Sequence, residues 1–401
     1  MQLAMDKLDA ILKREIADGE DTKDKLLGAA FIVTDRNGII YSGSAGRAGI
    51  DVNSPKFDGD TLTYGASLTK LPSAVCLMQL VEQGKISLDH NMRQIVPEVD
   101  KMQILRGFTA EGQPVLEDNE RPITLKQLIT HTVGLPYDVG DLNLRRWSKA
   151  IGRPIGTVIR LSKDGFNTPL SFSPGDGWAY GTGLDWAGIG LETLEKQSLG
   201  QYMKQHLLDP LGMHDTGFRV RQLPHTLGRR ADIAIRDTDS GSLSAFNIVP
   251  EEPEIDSAGA GIHTTANDYI RLLRAMLQVE PGVLSAKTAQ TMFAPQLDNR
   301  QQTMLRDALY GEGGRGAFIP EFPDGVALQY GYGGMVTMED VAGLRRKGSL
   351  SWPGACSSRW WIDPESGIAA VLIVAMFPFG DPVSSRLYAD LQRAVYSELV
   401  K

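Results

Sequence analysis

The run Thr63-Tyr64-Gly65-Ala66-Ser67-Leu68-Thr69-Lys70 sets a lysine three residues after a serine that opens a predicted helix. At helical spacing, positions i and i+3 share a face, so the Ser67 hydroxyl and the Lys70 ammonium can meet. The helix continues through Leu71, Ala74, Val75, Met78, Leu80 and Val81, whose spacing predicts a buried stripe. Gly84 is suited to a left-handed cap, and Pro72 falls in the early turns, where backbone donors lack intrahelical partners. Two readings compete. Ser67 is either an N-cap beside a solvated Lys70, or a nucleophile held at a positive helix end next to a lysine.

Working outward, the chain has 401 residues, which predicts two structural regions rather than one ordinary core. Hydrophobic content of 42% and charged content of 22% are those of a globular chain. The net charge of −8 argues against nucleic acid or an anionic membrane as partner. The opening Met1-Gln2-Leu3-Ala4-Met5-Asp6-Lys7 mixes acids and bases along an amphipathic helix, unlike a signal peptide, and no stretch is long and apolar enough to span a bilayer. Cys76 and Cys356 sit in unrelated contexts and are expected as free thiols, which points to the cytoplasm.

Residues 3–18 carry a helical period, followed by β-rich runs at 29–34 and 38–42 around an Asn37-Gly38 turn signal, which predicts a hairpin. From about Ile86 to Arg221 the β-branched alternation fades. Helices are expected there after Thr124, over 185–195 and over 199–208. Strand-like runs return at 257–265, before a helix over 267–277. The glycine- and proline-rich section from Pro295 to Gly343 reads as loops over the site. A hairpin is predicted from 359–363 and 368–376, then a closing helix over 382–399. Strands at both chain ends imply one mostly antiparallel sheet, with the terminal helices over one face. The fold class is therefore α/β in the α+β sense: an antiparallel sheet flanked by helices with an inserted, mostly helical domain. The boundaries are 1–90 with 222–401 for the sheet domain and 91–221 for the helical one.

Acyl transfer through a serine needs a base and donors for the developing oxyanion. None of His90, His131, His206, His214, His225 and His263 stands in a recognisable signature, and no serine has glycines at both −2 and +2. His131, His206 and His214 read as loop or surface residues, and no His-x-x-x-His or paired-cysteine spacing supports a metal site. A lysine–tyrosine arrangement can do a histidine's work, because a positive charge lowers the pKa of an adjacent phenol. Tyr180, on a glycine-flanked loop after Pro174-Gly175, is the candidate.

Several separated motifs then carry a resemblance. Ser67-Leu68-Thr69-Lys70, Tyr180-Gly181-Thr182 and Gly348-Ser349-Leu350-Ser351-Trp352-Pro353-Gly354-Ala355 occur in the order found in class C β-lactamase-like serine enzymes. Leu128-Ile129-Thr130-His131-Thr132-Val133-Gly134-Leu135 and Gly259-Ala260-Gly261-Ile262-His263-Thr264-Thr265 resemble two further segments of that family. The chain departs from β-lactamases at Thr182, where they have asparagine, and at Trp352-Pro353-Gly354, which replaces the Lys-Thr-Gly that grips a β-lactam carboxylate. In these departures, in Trp178-Ala179-Tyr180-Gly181 and in Leu184-Asp185-Trp186-Ala187-Gly188, it is similar to the family VIII carboxylesterase and lovastatin side-chain acyltransferase branch.

The resemblance implies a β-lactamase/transpeptidase-like fold with its site in the cleft between the two domains. It implies Ser67 as nucleophile, Lys70 tuning the proton network and Tyr180 as general base. The backbone N–H groups of Ser67 and Ala355 would hold the oxyanion, since Pro353 has none to offer. Trp352, Gly354 and Trp178 would bind substrate. No cofactor is called for. The expected partners are a small-molecule acyl donor, an ester or thioester free or on a carrier, and an alcohol acceptor or water. Alcohol makes the enzyme an acyltransferase of a small natural product, and water makes it a carboxylesterase. A catalytically inactive binding protein on the same fold is the remaining alternative.

Overall fold

A computed structural model describes residues 2–247, 249–250, 252–278 and 283–400 of the chain. Its frame is the sheet assembled from both chain ends. The hairpin β1 (Gly28–Asp35) and β2 (Ile39–Gly46) forms as read, with Asp35 Oδ1 accepting from the Asn37 and Gly38 N–H groups across the turn. Later strands are β3 (Leu328–Tyr330), β4 (Met335–Thr337), β5 (Leu350–Pro353), β6 (Arg359–Asp363) and β7 (Ile368–Ile373). The order is β2-β1-β7-β6-β5-β4-β3, and all the pairings are antiparallel. β1 joins the N-terminal hairpin to β7 with Ile32 opposite Val371, so the chain ends meet in mid-sheet.

Strands β5, β6 and β7 are buried on both faces because helices cover both. Over one face lie α1 (Gln2–Arg14) and the closing helix, whose Leu387, Tyr388 and Leu391 pack with Phe31, Trp361 and Leu372. Side chains of the opposite parity, Ile32, Trp360 and Val371, meet Leu272 and Leu273 of α4 (Ala266–Gln278) on the other face. The same core continues through Leu71 and Leu77 of α2 (Lys70–Glu82) to Leu128 and to Trp186 of α3 (Gly183–Glu195).

Four expectations need correcting. Ser67 does not open the α-helix: Ala66–Thr69 form a 3₁₀ turn and α2 begins at Lys70. Nor is α2 apolar on one stripe alone, since every residue from Lys70 to Leu80 is buried, as befits a central helix packed from all sides. The middle region is not free of strands: Gln103–Phe108 pairs with Pro114–Asp118, a hairpin whose second strand is mostly exposed and has no apolar face to announce it. The fourth concerns Pro295 to Gly343, which is not all loop. It holds helices Asn299–Tyr310 and Gly314–Phe318 as well as β3 and β4. The first of these helices starts with a capping box, Asp298 bonding the Gln301 N–H and Gln301 reaching back to the Asp298 N–H. Elsewhere Thr124 and Gln127 form a second such box, and Gly84 takes the left-handed φ of +70° expected of the α2 cap.

Candidate active site

The turn before Lys70 is held from several sides. Gly65 N–H donates to Ile262 O (2.9 Å), Leu68 N–H to Gly65 O (3.0 Å), and Tyr269 Oη to Leu68 O (2.8 Å). Thr69 Oγ1 donates to Ala66 O and accepts from Ile262 N–H. So braced, Ala66 sits at φ +46°, a left-handed conformation that costs an alanine about 1 kcal/mol. The Ser67 hydroxyl caps no helix. It accepts from Lys70 Nζ (3.2 Å) and from Tyr180 Oη (2.7 Å), and the residue is 8% exposed.

Lys70 is 1% exposed and gives its remaining donors to Tyr137 Oη (3.0 Å) and Gly259 O (2.7 Å). Three donors meeting three acceptors is the bonding pattern of an ammonium. Its Nζ also lies 4.7 Å from the centre of the Tyr180 ring. Tyr137 was not among the residues read from the sequence. Burial, then the neighbouring Tyr180, holds its phenol well above the ordinary range, so it stays a neutral acceptor for Lys70. The two tyrosines arrive together because segments 135–137 and 180–182 run side by side: Thr182 N–H donates to Leu135 O and Tyr137 N–H to Tyr180 O. A Cβ at Gly181 would lie 1.9 Å from Leu135 O, which demands glycine next to Tyr180. A tyrosine at the end of the Thr132-to-Pro136 loop was the signal available for Tyr137.

Trp352, 2% exposed on β5, directs its indole Nε1–H at Tyr180 Oη (2.9 Å). Trp178 lies buried behind Tyr180, the two rings stacked at 16° and 6.5 Å. Phe318 stands edge-on to Tyr180 at 6.0 Å and tilted against Trp352 at 5.3 Å. Beyond β5, a Cβ on Gly354 would sit 2.7 Å from Gly65 O, so the turn carrying Ala355 abuts the turn carrying Ser67. There Gly354 N–H donates to Ser358 O and Ser357 N–H to Gly354 O.

His131 lies in a loop, one of the two places read for it, but not at the surface. It is buried at φ +61°, with its ring edge-on to Tyr180 at 4.9 Å. Burial, with the Lys70 charge behind it, pushes its pKa well below the usual histidine value, so the ring is neutral. Thr182, at the position where β-lactamases carry asparagine, has a buried hydroxyl without a hydrogen-bond partner among the described residues and does not reach Lys70.

The geometry agrees with what the chain is similar to. A sequence model of the family described as Beta-lactamase matches residues 9–394. A lovastatin esterase from Penicillium rubens is 31% identical over 94% of this chain and 95% of its own length. A monacolin J acid methylbutanoyltransferase from Aspergillus terreus is 30% identical over 86% of this chain and 84% of its own. Among solved structures, a mutant of simvastatin synthase from Aspergillus terreus superposes with a TM-score of 0.89 at 27% identity, covering 99% of this chain and 96% of that one. With a family match across nearly its whole length and a serine, lysine and tyrosine in mutual contact at its centre, this chain belongs to the β-lactamase family.

Proposed function

We propose that the protein is a serine acyltransferase that carries an acyl group on Ser67 from a small ester or thioester to an alcohol acceptor. The carrying observation is the convergence on Ser67 Oγ of Tyr180 Oη at 2.7 Å and Lys70 Nζ at 3.2 Å. In the first half-reaction Tyr180 works as a phenolate, having given up to solvent the proton that it donates to Ser67 at rest; Ser67 Oγ bonds to the acyl carbon and its proton passes to the Tyr180 oxygen. The negative charge that Tyr180 carries as base is offset by the Lys70 ammonium and the Trp352 N–H. The carbonyl oxygen, turned oxyanion, lies between the backbone N–H groups of Ser67 and Ala355. As the bond to the leaving group breaks, Tyr180 returns the proton to it. In the second half the acceptor alcohol gives its proton to the Tyr180 phenolate and its oxygen bonds to the acyl carbon; the Ser67–acyl bond then breaks and Tyr180 returns the proton to Ser67 Oγ.

Trp352, Gly354 and Trp178 form the substrate side of this reading, Trp178 by backing Tyr180 and Gly354 by letting β5 approach Ser67. Ser67 is scarcely exposed beside Tyr180, and the alcohol as acceptor is supported by the likeness to the monacolin J acid methylbutanoyltransferase. The site lies in the cleft between a sheet domain (1–90 with 222–401) and a helical domain (91–221). The donor is free or carried on a protein. No helix among the described residues is long and apolar enough to cross a membrane, and the reading is of a cytoplasmic enzyme. Hydrolysis is the second reading, favoured by the likeness to the lovastatin esterase.

Labelling with a fluorophosphonate and intact-mass measurement should add one adduct at Ser67 and none in Ser67→Ala. A Ser67→Ala protein with full activity overturns the mechanism. With p-nitrophenyl esters, a transferase forms new ester faster when an alcohol is supplied. A hydrolase releases acid at a rate the alcohol does not change.

A further inference from the structure

Lys70 has one acceptor that belongs to neither the nucleophile nor a tyrosine: the carbonyl of Gly259, at 2.7 Å. That carbonyl shares its peptide group with the Ala260 N–H, which donates to Ser257 Oγ at 3.0 Å. With its oxygen accepting there, the Ser257 hydroxyl spends its own proton on Asp185 Oδ1, at 2.5 Å. The same Oδ1 takes the Gly259 N–H at 2.9 Å. An unbroken path of donors and acceptors thus runs from Lys70 through the 259–260 peptide and Ser257 to a buried carboxylate.

Asp185 is 2% exposed in the first turn of α3, where the positive end of the helix favours an anion. Both of its partners are donors, which is the pattern of an ionised carboxylate. Burial raises its pKa above the ordinary value, and the Lys70 charge, foremost, and these hydrogen bonds pull it back. Any side chain at position 259 would collide with it, since a Cβ on Gly259 would lie 2.6 Å from Asp185 Oδ2.

We propose that Asp185 is a positioning residue for Lys70, acting through Ser257 and the Gly259–Ala260 peptide to aim the Gly259 carbonyl and hold the ammonium between Ser67 and Tyr180. This rests on the reading of Ser67, Lys70 and Tyr180 given above. Each bond polarises the next, so the anion enriches the carbonyl that Lys70 meets. The groups facing Lys70 are the Ser67 hydroxyl, the Tyr137 and Tyr180 phenols, the neutral His131 and, across this path, Asp185. Removing the carboxylate charge takes away the anion that offsets the Lys70 charge across this path.

The experiment measures Ser67 acylation by a p-nitrophenyl ester from pH 5 to 10 in wild type, Asp185→Asn and Ser257→Ala, with thermal melts and fluorophosphonate labelling in parallel. Asp185→Asn is expected to slow acylation about 10- to 100-fold, mostly in kcat, and to move the alkaline limb of the profile to lower pH. Ser257→Ala, which keeps the carboxylate and breaks the path, is expected to shift the same limb by less. A uniform fall in rate with unmoved limbs and a lowered melting temperature means a structural role and overturns the proposal, as do wild-type profiles in both variants. Should Asp185→Asn fail to fold, an unmoved limb in Ser257→Ala overturns it alone. Absence of wild-type labelling at Ser67 instead condemns the acyl-serine reading.

Discussion

The indole N–H of Trp352 ends 2.9 Å from the phenol oxygen of Tyr180, tying the central sheet to the loop that faces Ser67. A residue in the strand position where β-lactamases place a carboxylate-gripping lysine is here turned to the proton network. The relation converts an apolar substitution into a testable chemical role. Trp352→Phe preserves the ring and deletes the donor. It should lower the acylation rate about 10- to 100-fold, the worth of a hydrogen bond to a charged oxygen, while the melting temperature changes little. Stopped-flow release of p-nitrophenol checks both half-reactions.

Tyr180 and Tyr137 touch Lys70 from two sides but should differ in consequence. Tyr180→Phe removes the group nearest the Ser67 proton and is expected to cost about 10²- to 10⁴-fold in acylation. Tyr137→Phe removes one acceptor of Lys70 and should cost about tenfold. Equal losses in the two variants would contradict the assignment of Tyr180 as base. Single-turnover kinetics separate them.

Gly354 is required by space. A methyl group there would press to 2.7 Å on Gly65 O and 2.8 Å on Leu68 Cδ1, forcing β5 and the Ser67 turn apart. Gly354→Ala should destabilise the fold by about 1–3 kcal/mol and depress activity further than stability, because the displaced turn carries Ala355. Urea titration and acylation rates report the two effects.

Acid should weaken the fold through its buried histidines. His263 is held to a pKa of about 3, first by burial and then by Arg230, against an ordinary value of 6.5. The unfolded chain therefore takes up a proton near pH 6.5 that the folded chain refuses until about pH 3. Its contribution is whole above pH 6.5 and is lost as the pH falls through that window, by up to about 1.4 kcal/mol per pH unit. His131 acts in the same direction. His263→Phe, which keeps a ring against Tyr64, should flatten the fall in urea midpoint between pH 6 and 4. An unchanged slope would assign the loss to other groups.

Much of the frame was legible because it rests on local chemistry. The Asn37-Gly38 turn and the closing hairpin of β6 and β7 lie where their alternation and turn residues put them. The Asn299–Tyr310 helix was missed although Asp298 and Gln301 spell a capping box, because the surrounding glycines and prolines outweighed it. The hairpin at 103–118 escaped for a different reason: its second strand lies largely in solvent, so no alternation of apolar residues marks it. His131 was read as a loop or surface residue because a histidine between threonines in a loop reads as polar; it lies in the loop, but the rings of Trp178, Tyr180 and Tyr330 enclose it.

The sequence by itself determined that Ser67 and Lys70 would meet, since they are three residues apart on adjoining turns, and its separated motifs carried the family resemblance. It also identified Tyr180 and the glycine beside it. Only the tertiary structure decided who completes the site. Tyr137, Trp352 and Gly259 come from three distant segments, and their contacts with Lys70 and Tyr180 depend on how sheet and loops pack, while Asp185 of α3 bonds the 257–259 segment that meets Lys70. Hydrogen bonds act over about 3 Å. No periodicity in a chain records which distant atoms will close that gap.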